Sequence, residues 1–254
     1  MIKTQNLCKS FGNSPILEDI STEFEHGKVN LIIGKSGSGK TVLLKCLLGL
    51  YPPTSGEIYY DQTLSTQMEE EDQSTLRSKI GMVFQGSALF DYMSVKQNVG
   101  FPLDMYTTMS KAEKKQRVEE VLEQVDLAHV GDKFPSETSG GMQKRAAIAR
   151  AIVNHPQYLF CDEPNSGLDP STSILIDQLL LKITKTYNTT TIINTHDMNS
   201  VLEIGQKIIY LKSGKLHWEG SNQSLLNAGN TEIQDFIFSS KLLKSMLNQG
   251  RNLG

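Results

Sequence analysis

The chain has 254 residues, with 25 lysines and arginines against 28 aspartates and glutamates, a formal net charge of −3. That balance gives no general attraction for nucleic acid or anionic lipid, and 38% hydrophobic with 21% charged residues is ordinary for a globular protein. No signal-peptide core follows Met1, no apolar run approaches the roughly 20 residues needed to cross a bilayer, and Cys8, Cys46 and Cys161 lack disulfide-framework or zinc-site spacing. A reducing cytoplasm is the expected compartment.

In chain order, Ile2 to Leu7 and Leu17 to Phe24 read as strands joined by a turn around Gly12-Asn13. Val29 to Ile33 is apolar except at Asn30, the mark of a strand buried on both faces. A Gly-rich loop and a helix from about Lys40 to Leu50 follow. Pro52-Pro53 ends that helix, and Gly56 to Tyr60 is the next strand. The acidic run within Met68 to Asp72 reads as a solvated loop or helix start rather than a metal site, and Ile80 to Phe84 as a short buried strand.

From Gly86 to Asn154 the pattern is mostly helical, which predicts an inserted helical subdomain. Its clearest helix covers Ser110 to Val125. Ser110 and Glu113 have capping-box spacing, and Val118, Val121, Leu122 and Val125 recur at i, i+3, i+4, i+7. A second helix runs from about Ser139 to Asn154. Strands at Tyr158 to Cys161 and Thr190 to Asn194 then flank a helix from Pro170 to about Tyr187. Ile208 to Lys212 and Lys215 to Glu219 form a hairpin across Ser213-Gly214, and short helices finish the chain. The alternation predicts an α/β domain around a mostly parallel sheet.

Residues Gly34-Lys35-Ser36-Gly37-Ser38-Gly39-Lys40-Thr41 form a GxxxxGK[ST] pattern between a buried strand and a helix. Glycines let the backbone curl so that successive N–H groups face phosphate oxygens, and the helix adds its positive dipole end. Lys40 is expected to reach the β- and γ-phosphates, with the Thr41 hydroxyl on Mg²⁺. Further on, the apolar strand Tyr158 to Cys161 ends in Asp162-Glu163. Neighbours on a strand face opposite ways, so two acids at its end can divide the work: Asp162 holding Mg²⁺ through water, Glu163 polarising the attacking water as general base. By itself such a pair also fits a solvated loop start.

Together with four other segments, these motifs resemble the nucleotide-binding subunit of ABC transporters from Phe11 to the 220s. Ser139-Gly140-Gly141-Met142 resembles the family's signature loop, although alone it reads as an N-cap and hinge. Asp162-Glu163 with Ser166-Gly167-Leu168-Asp169 resembles its Walker B strand and D-loop. Gln85 resembles the Q-loop glutamine, a further metal contact; His196 resembles the switch histidine; Phe11 sits where the family stacks an aromatic on adenine. The resemblance implies a P-loop NTPase fold, with an antiparallel β-subdomain and a helical subdomain at about residues 86–157 within an ATPase domain of residues 1–240, followed by a tail of 241–254. It implies Mg²⁺ as cofactor and two copies of the chain sandwiching ATP, each signature loop closing the other's site. It also implies an integral membrane permease as partner, a place on the cytoplasmic face of the inner membrane, and no nucleic acid.

Three readings are finer. Met142 stands where the family usually has Gln, losing a polar contact to the nucleotide across the dimer. Asn165 stands where Ser or Thr is commoner, a difference of little apparent weight. The run from Met142 through Gln143-Lys144-Arg145-Ala146-Ala147-Ile148-Ala149-Arg150-Ala151, and the segment Phe84 to Val95 with the following Asn98-Val99, look like the lipid-transport branch linked to MCE proteins, the alternative being another importer, for example of amino acids. Leu89, Phe90, Tyr92 and Met93 either receive a coupling helix of the permease or pack within the helical subdomain. Lys241 to Gln249 has one apolar helical face and either grips a neighbouring subunit or frays. A soluble non-transport ABC ATPase and a small-molecule kinase are the rival classes. One phosphate loop, no long heptad segment and slight negative charge disfavour the first, and the Ser-Gly-Gly and His196 motifs the second.

Overall fold

A computed structural model describes residues 1–225 together with Ile233, Gln234 and Phe236. Lys241 to Gln249 lies outside them. β1 (Ile2–Phe11) and β2 (Ser14–Phe24) pair antiparallel across the Gly12-Asn13 turn and bury Ile2, Leu7, Leu17, Ile20 and Phe24 on one face, with shifts in register that interrupt the alternation. β3 (Val29–Ile33) is buried at all five positions. α1 (Lys40–Leu47) ends earlier than the sequence reading, before Gly49 in the left-handed region. β4 (Ser55–Tyr60) and the short β5 (Thr63–Leu64) complete a four-stranded antiparallel sheet in the order β2-β1-β4-β5.

α2 (Glu70–Ser78) begins within the acidic run, its first turn carrying Glu70, Glu71 and Asp72. Acids at that end interact favourably with the positive end of the helix dipole, and the run is a helix start. β6 (Ile80–Val83) follows. The expected helical subdomain coincides with a helical stretch between β6 and the next strand, α3 (Val95–Tyr106), α4 (Lys111–Gln124) and α5 (Gly140–Ile152). α3 and α4 both open on complete capping boxes, Ser94 with Gln97 and Ser110 with Glu113. The chain then forms β7 (Tyr158–Asp162), α6 (Pro170–Tyr187), β8 (Thr190–Asn194), α7 (Met198–Ile204), β9 (Lys207–Lys212), β10 (Lys215–Gly220) and α8 (Asn222–Leu225).

The central sheet has six strands in the order β10-β9-β3-β8-β7-β6, with β10 antiparallel and the rest parallel. Period-two alternation divides its side chains between two cores. Ile32, Tyr158, Phe160, Ile192 and Ile209 face α1 and the antiparallel sheet. Val29, Leu31, Ile33, Leu159, Cys161 and Ile193 face the opposite way, against α5, α6 and α7. Each fully buried Leu or Ile contributes about 1.5–3 kcal/mol relative to an exposed one. The carboxyl ends of β3, β6, β7 and β8 are thereby held along one edge, the position where open α/β sheets bind ligands.

Candidate nucleotide site

The loop after β3 leaves the sheet at Gly34, where a Cβ would stand 2.3 Å from the Leu211 carbonyl oxygen. It enters α1 through Gly39 at φ 102°, a left-handed N-cap that contributes no side-chain hydrogen bond. The opening amides of α1 are therefore left to an incoming anion. Lys40 Nζ, almost fully buried, donates to the Gly34 and Lys35 carbonyls at 2.9 and 3.2 Å. Burial pushes the Lys40 pKa down, while the Glu163 and Asp162 carboxylates push it back up. The cation thus sits near both acids without being paired to either.

At the end of β7, the Asp162 carboxylate accepts a hydrogen bond from Asn194 Nδ2 at 3.0 Å, across the β7–β8 pair. Glu163 is in the left-handed region at φ 48°, a strained conformation for a non-glycine residue. Its N–H donates to the Asn194 carbonyl at 3.0 Å and its carbonyl accepts from the Ser166 N–H at 3.1 Å, so the neighbouring backbone holds the strain in place. His196 Nδ1 donates to Glu163 Oε2 at 2.8 Å; the carboxylate is half-buried and the imidazole exposed. Gln85 Nε2 donates to Ser166 Oγ at 3.2 Å, which ties the Q-loop to the D-loop. A cavity of about 680 Å³ is lined by Gly34 to Gly37, Gly39 to Thr41, Gln85, Glu163 and His196, with Ile16 on its rim.

Phe11 is not among the residues lining that cavity. Its ring is exposed and meets Tyr51 edge-on at 5.2 Å, with Lys9 Nζ 4.9 Å from its centroid. Ser139, Gly140 and Gly141 open α5, and Ser139 Oγ caps the helix by accepting from the Met142 N–H at 3.3 Å. Ser139 and Gly140 are exposed. The Met142 side chain packs half-buried against the core that the central sheet shares with α5, α6 and α7. In the D-loop, Leu168 also packs on that core and Gly167 is exposed. Asp169 caps α6, and hydrogen bonds from Ser171 and Thr172 hold its carboxyl well below the usual range.

Asn165, a position of little apparent weight in the sequence, is a structural link. Its Nδ2 donates to Asp177 Oδ1 at 2.8 Å and to Ser200 Oγ at 3.1 Å, joining the segment after Glu163 to α6 and α7. Burial pushes the Asp177 carboxyl up to about 6. The only signal in the sequence was the departure at 165 itself. The oxygen donors Thr41, Asp162 and Gln85 fit Mg²⁺, which prefers hard oxygens and one or two carboxylates, completed by phosphates and water.

The family model described as ABC transporter matches residues 17–166, more than half of the chain. The chain is 37% identical over 236 residues to the probable ribonucleotide transport ATP-binding protein mkl of Mycobacterium leprae, which covers 93% of this chain and 68% of that protein. It is 35% identical over 259 residues to the methionine import ATP-binding protein MetN of Campylobacter jejuni, covering 96% and 77% respectively. Among solved structures, dimeric MJ0796, a bacterial ABC transporter cassette, shares 33% identity at a TM-score of 0.80 over 87% of this chain and 99% of that one. A second structure of that cassette, dimeric and in a post-hydrolysis state bound to ADP and Pi, gives a TM-score of 0.79 at the same identity and coverage. Phosphate loop, strand-end acids and facing histidine occupy one edge of a sheet shared with these cassettes, and the chain belongs to the ABC transporter family as an ATP-binding, ATP-hydrolysing subunit.

Proposed function

We propose that two copies of this chain close around two ATP molecules and drive a membrane permease from its cytoplasmic face, most closely in the manner of the MCE-linked lipid transporters. The observation that carries the ATPase mechanism is the convergence of Lys40, Glu163, His196 and Gln85 around a single cavity next to an uncapped helix N-terminus, with the Asp162 carboxylate close enough to raise the Lys40 pKa.

The residues divide the reaction. The amides from Gly34 to Thr41 and the Lys40 ammonium bind and orient the phosphates. Thr41, Asp162 and Gln85 would hold Mg²⁺, and charge neutralisation on the β- and γ-phosphates is what that ion supplies when bound. Glu163 takes a proton from the attacking water at a carboxylate oxygen. His196, fixed through Nδ1 by Glu163, offers Nε2 to the γ-phosphate. Ser139, Gly140 and Gly141 of the second copy present their exposed helix start to the same phosphate, Met142 lending the loop its fold. Ser166 to Asp169 line the contact between copies, and Phe11 stacks on adenine at the end of β1. Loss of the γ-phosphate removes the group both copies grip, and the pair opens.

The permease has a surface to meet. Phe84, Phe90, Phe101, Met105 and Tyr106 surround an apolar groove of about 410 Å³ beside the Q-loop, and Phe84, Met105 and Tyr106 are exposed. Leu89 packs inward, whereas the Phe90 ring lies 5.7 Å from exposed Tyr92. A short cytoplasmic helix of the permease is the occupant. Phospholipid as cargo, with an MCE-type protein in the assembly, rests on the run from Met142 to Ala151 and the segment Phe84 to Val95 with Asn98-Val99; the similarity to MetN favours methionine or another amino acid as the second reading. Purification of the intact complex from membranes tests both. A polytopic partner with co-purifying phospholipid is expected, and a periplasmic amino-acid-binding partner would overturn the lipid assignment.

A further inference from the structure

Lys144 and Arg150 lie on α5, the helix that begins with the signature loop. Lys144 is only 2% exposed, yet no carboxylate within salt-bridge distance neutralises it among the described residues. Its Nζ donates instead to the Gln85 and Phe84 carbonyls at 2.5 and 3.4 Å. Arg150 donates to the Ser87 and Ala88 carbonyls at 2.8 and 2.6 Å, and its guanidinium lies 6.0 Å from the Phe90 ring centroid. Four carbonyls of one short loop are thus held by two cations of one helix. An apolar residue of similar volume at 144 would avoid the desolvation cost of a buried ammonium, so the charge has a use other than stability. Ser87 and Ala88 both have positive φ, a bend the Arg150 contacts keep fixed.

We infer that Lys144 is a positioning residue that locks the Q-loop of one nucleotide site to the helix carrying the signature loop for the other, so that movement of Gln85 is delivered across the dimer. The inference rests on the proposed roles of Gln85 and of Ser139 to Gly141. A rigid helix transmits a shift at residue 144 to residue 139 without loss, and the Gln85 side chain extends the same connection to Ser166 of the D-loop. The two sites of a dimer are then coupled through α5.

The test is steady-state ATP hydrolysis by the full-length protein, with the rate and Hill coefficient measured alongside ATP affinity at non-turnover temperature. Lys144→Met is expected to lower turnover about tenfold and bring the Hill coefficient towards one, with ATP affinity and melting temperature close to wild type. Lys144→Arg, which keeps the cation, is expected to retain most of the turnover. Wild-type rate and cooperativity in Lys144→Met would overturn the inference. So would a joint fall in affinity, stability and rate, or a Lys144→Arg variant as slow as Lys144→Met. Should Met at 144 prevent folding, Lys144→Gln carries the same expectation and the same contradicting results. Gln85→Ala and Ser139→Arg distinguish the two levels: if neither slows hydrolysis, the underlying site roles fail, whereas if both do and Lys144→Met does not, only the coupling fails.

Discussion

Glu163 and His196 meet across the ends of neighbouring parallel strands, Oε2 to Nδ1 at 2.8 Å, with Glu163 held in left-handed backbone by hydrogen bonds to Asn194 and Ser166. The contact places the proposed base and the proposed γ-phosphate sensor in one unit. Glu163→Gln keeps the shape and removes the proton acceptor. Turnover is expected to fall about 10²–10⁴-fold, with ATP affinity retained and the two-copy form accumulating in ATP. Hydrolysis rates and light scattering in ATP check both parts, and brisk turnover would remove Glu163 from its role.

Asp177 gives a pH dependence of stability. Its carboxyl is buried and pushed up from 3.8 to about 6, chiefly by desolvation, with Asp197 and Glu203 adding to the rise and the Ser200 and Asn165 contacts opposing it. The native state therefore holds a proton that the unfolded chain releases between those values, and stability falls as pH rises from about 4 to about 6. Two units correspond to about 3 kcal/mol at most. Asp177→Asn is expected to lose this dependence. Denaturant unfolding of both proteins at pH 5 and pH 8 checks it: the difference between them should shift in favour of the variant at pH 8.

How far the sequence could be read follows from how local each feature is. The phosphate loop needs only eight consecutive residues between a strand and a helix, and its backbone conformation is demanded by Gly34 and Gly39. β3 was legible because four of its five residues are apolar, Asn30 being the exception. α3 was not, since Gly100 and Pro102 interrupt its pattern, although the Ser94 and Gln97 pair marks its start. Asn165, Asp177 and Ser200 are brought together only by the packing of α6 and α7, and no short pattern connects them. Lys144 looks like a solvated helix cation until the fold seats it beneath the Q-loop.

The join between the helical subdomain and the sheet has little room. A Cβ on Gly81 of β6 would stand 2.2 Å from the backbone oxygen of Ala151 on α5. Gly81→Ala is expected to cost about 1–3 kcal/mol through overpacking, read as a lowered melting temperature. An unchanged melting temperature would mean that β6 and α5 separate freely.

Met105 and Tyr106 lie on the proposed permease groove, away from the nucleotide cavity, and are 59% and 42% exposed. Replacing both with Ser is expected to leave stability within about 0.5 kcal/mol and basal ATP hydrolysis intact. Association with the membrane partner should be lost. Pull-down from solubilised membranes checks this, and unimpaired association would place the docking surface elsewhere.

Lys40 bears on the central claim most directly, because its ammonium and the amides around it are the proposed grip on the triphosphate. Calorimetric titration of Mg-ATP into the wild-type protein and into Lys40→Ala decides the matter. Saturable one-site binding by the wild type, weakened at least about tenfold by the substitution, is the predicted result. A wild-type protein that takes up no Mg-ATP, or a Lys40→Ala protein that binds it equally well, would contradict the account.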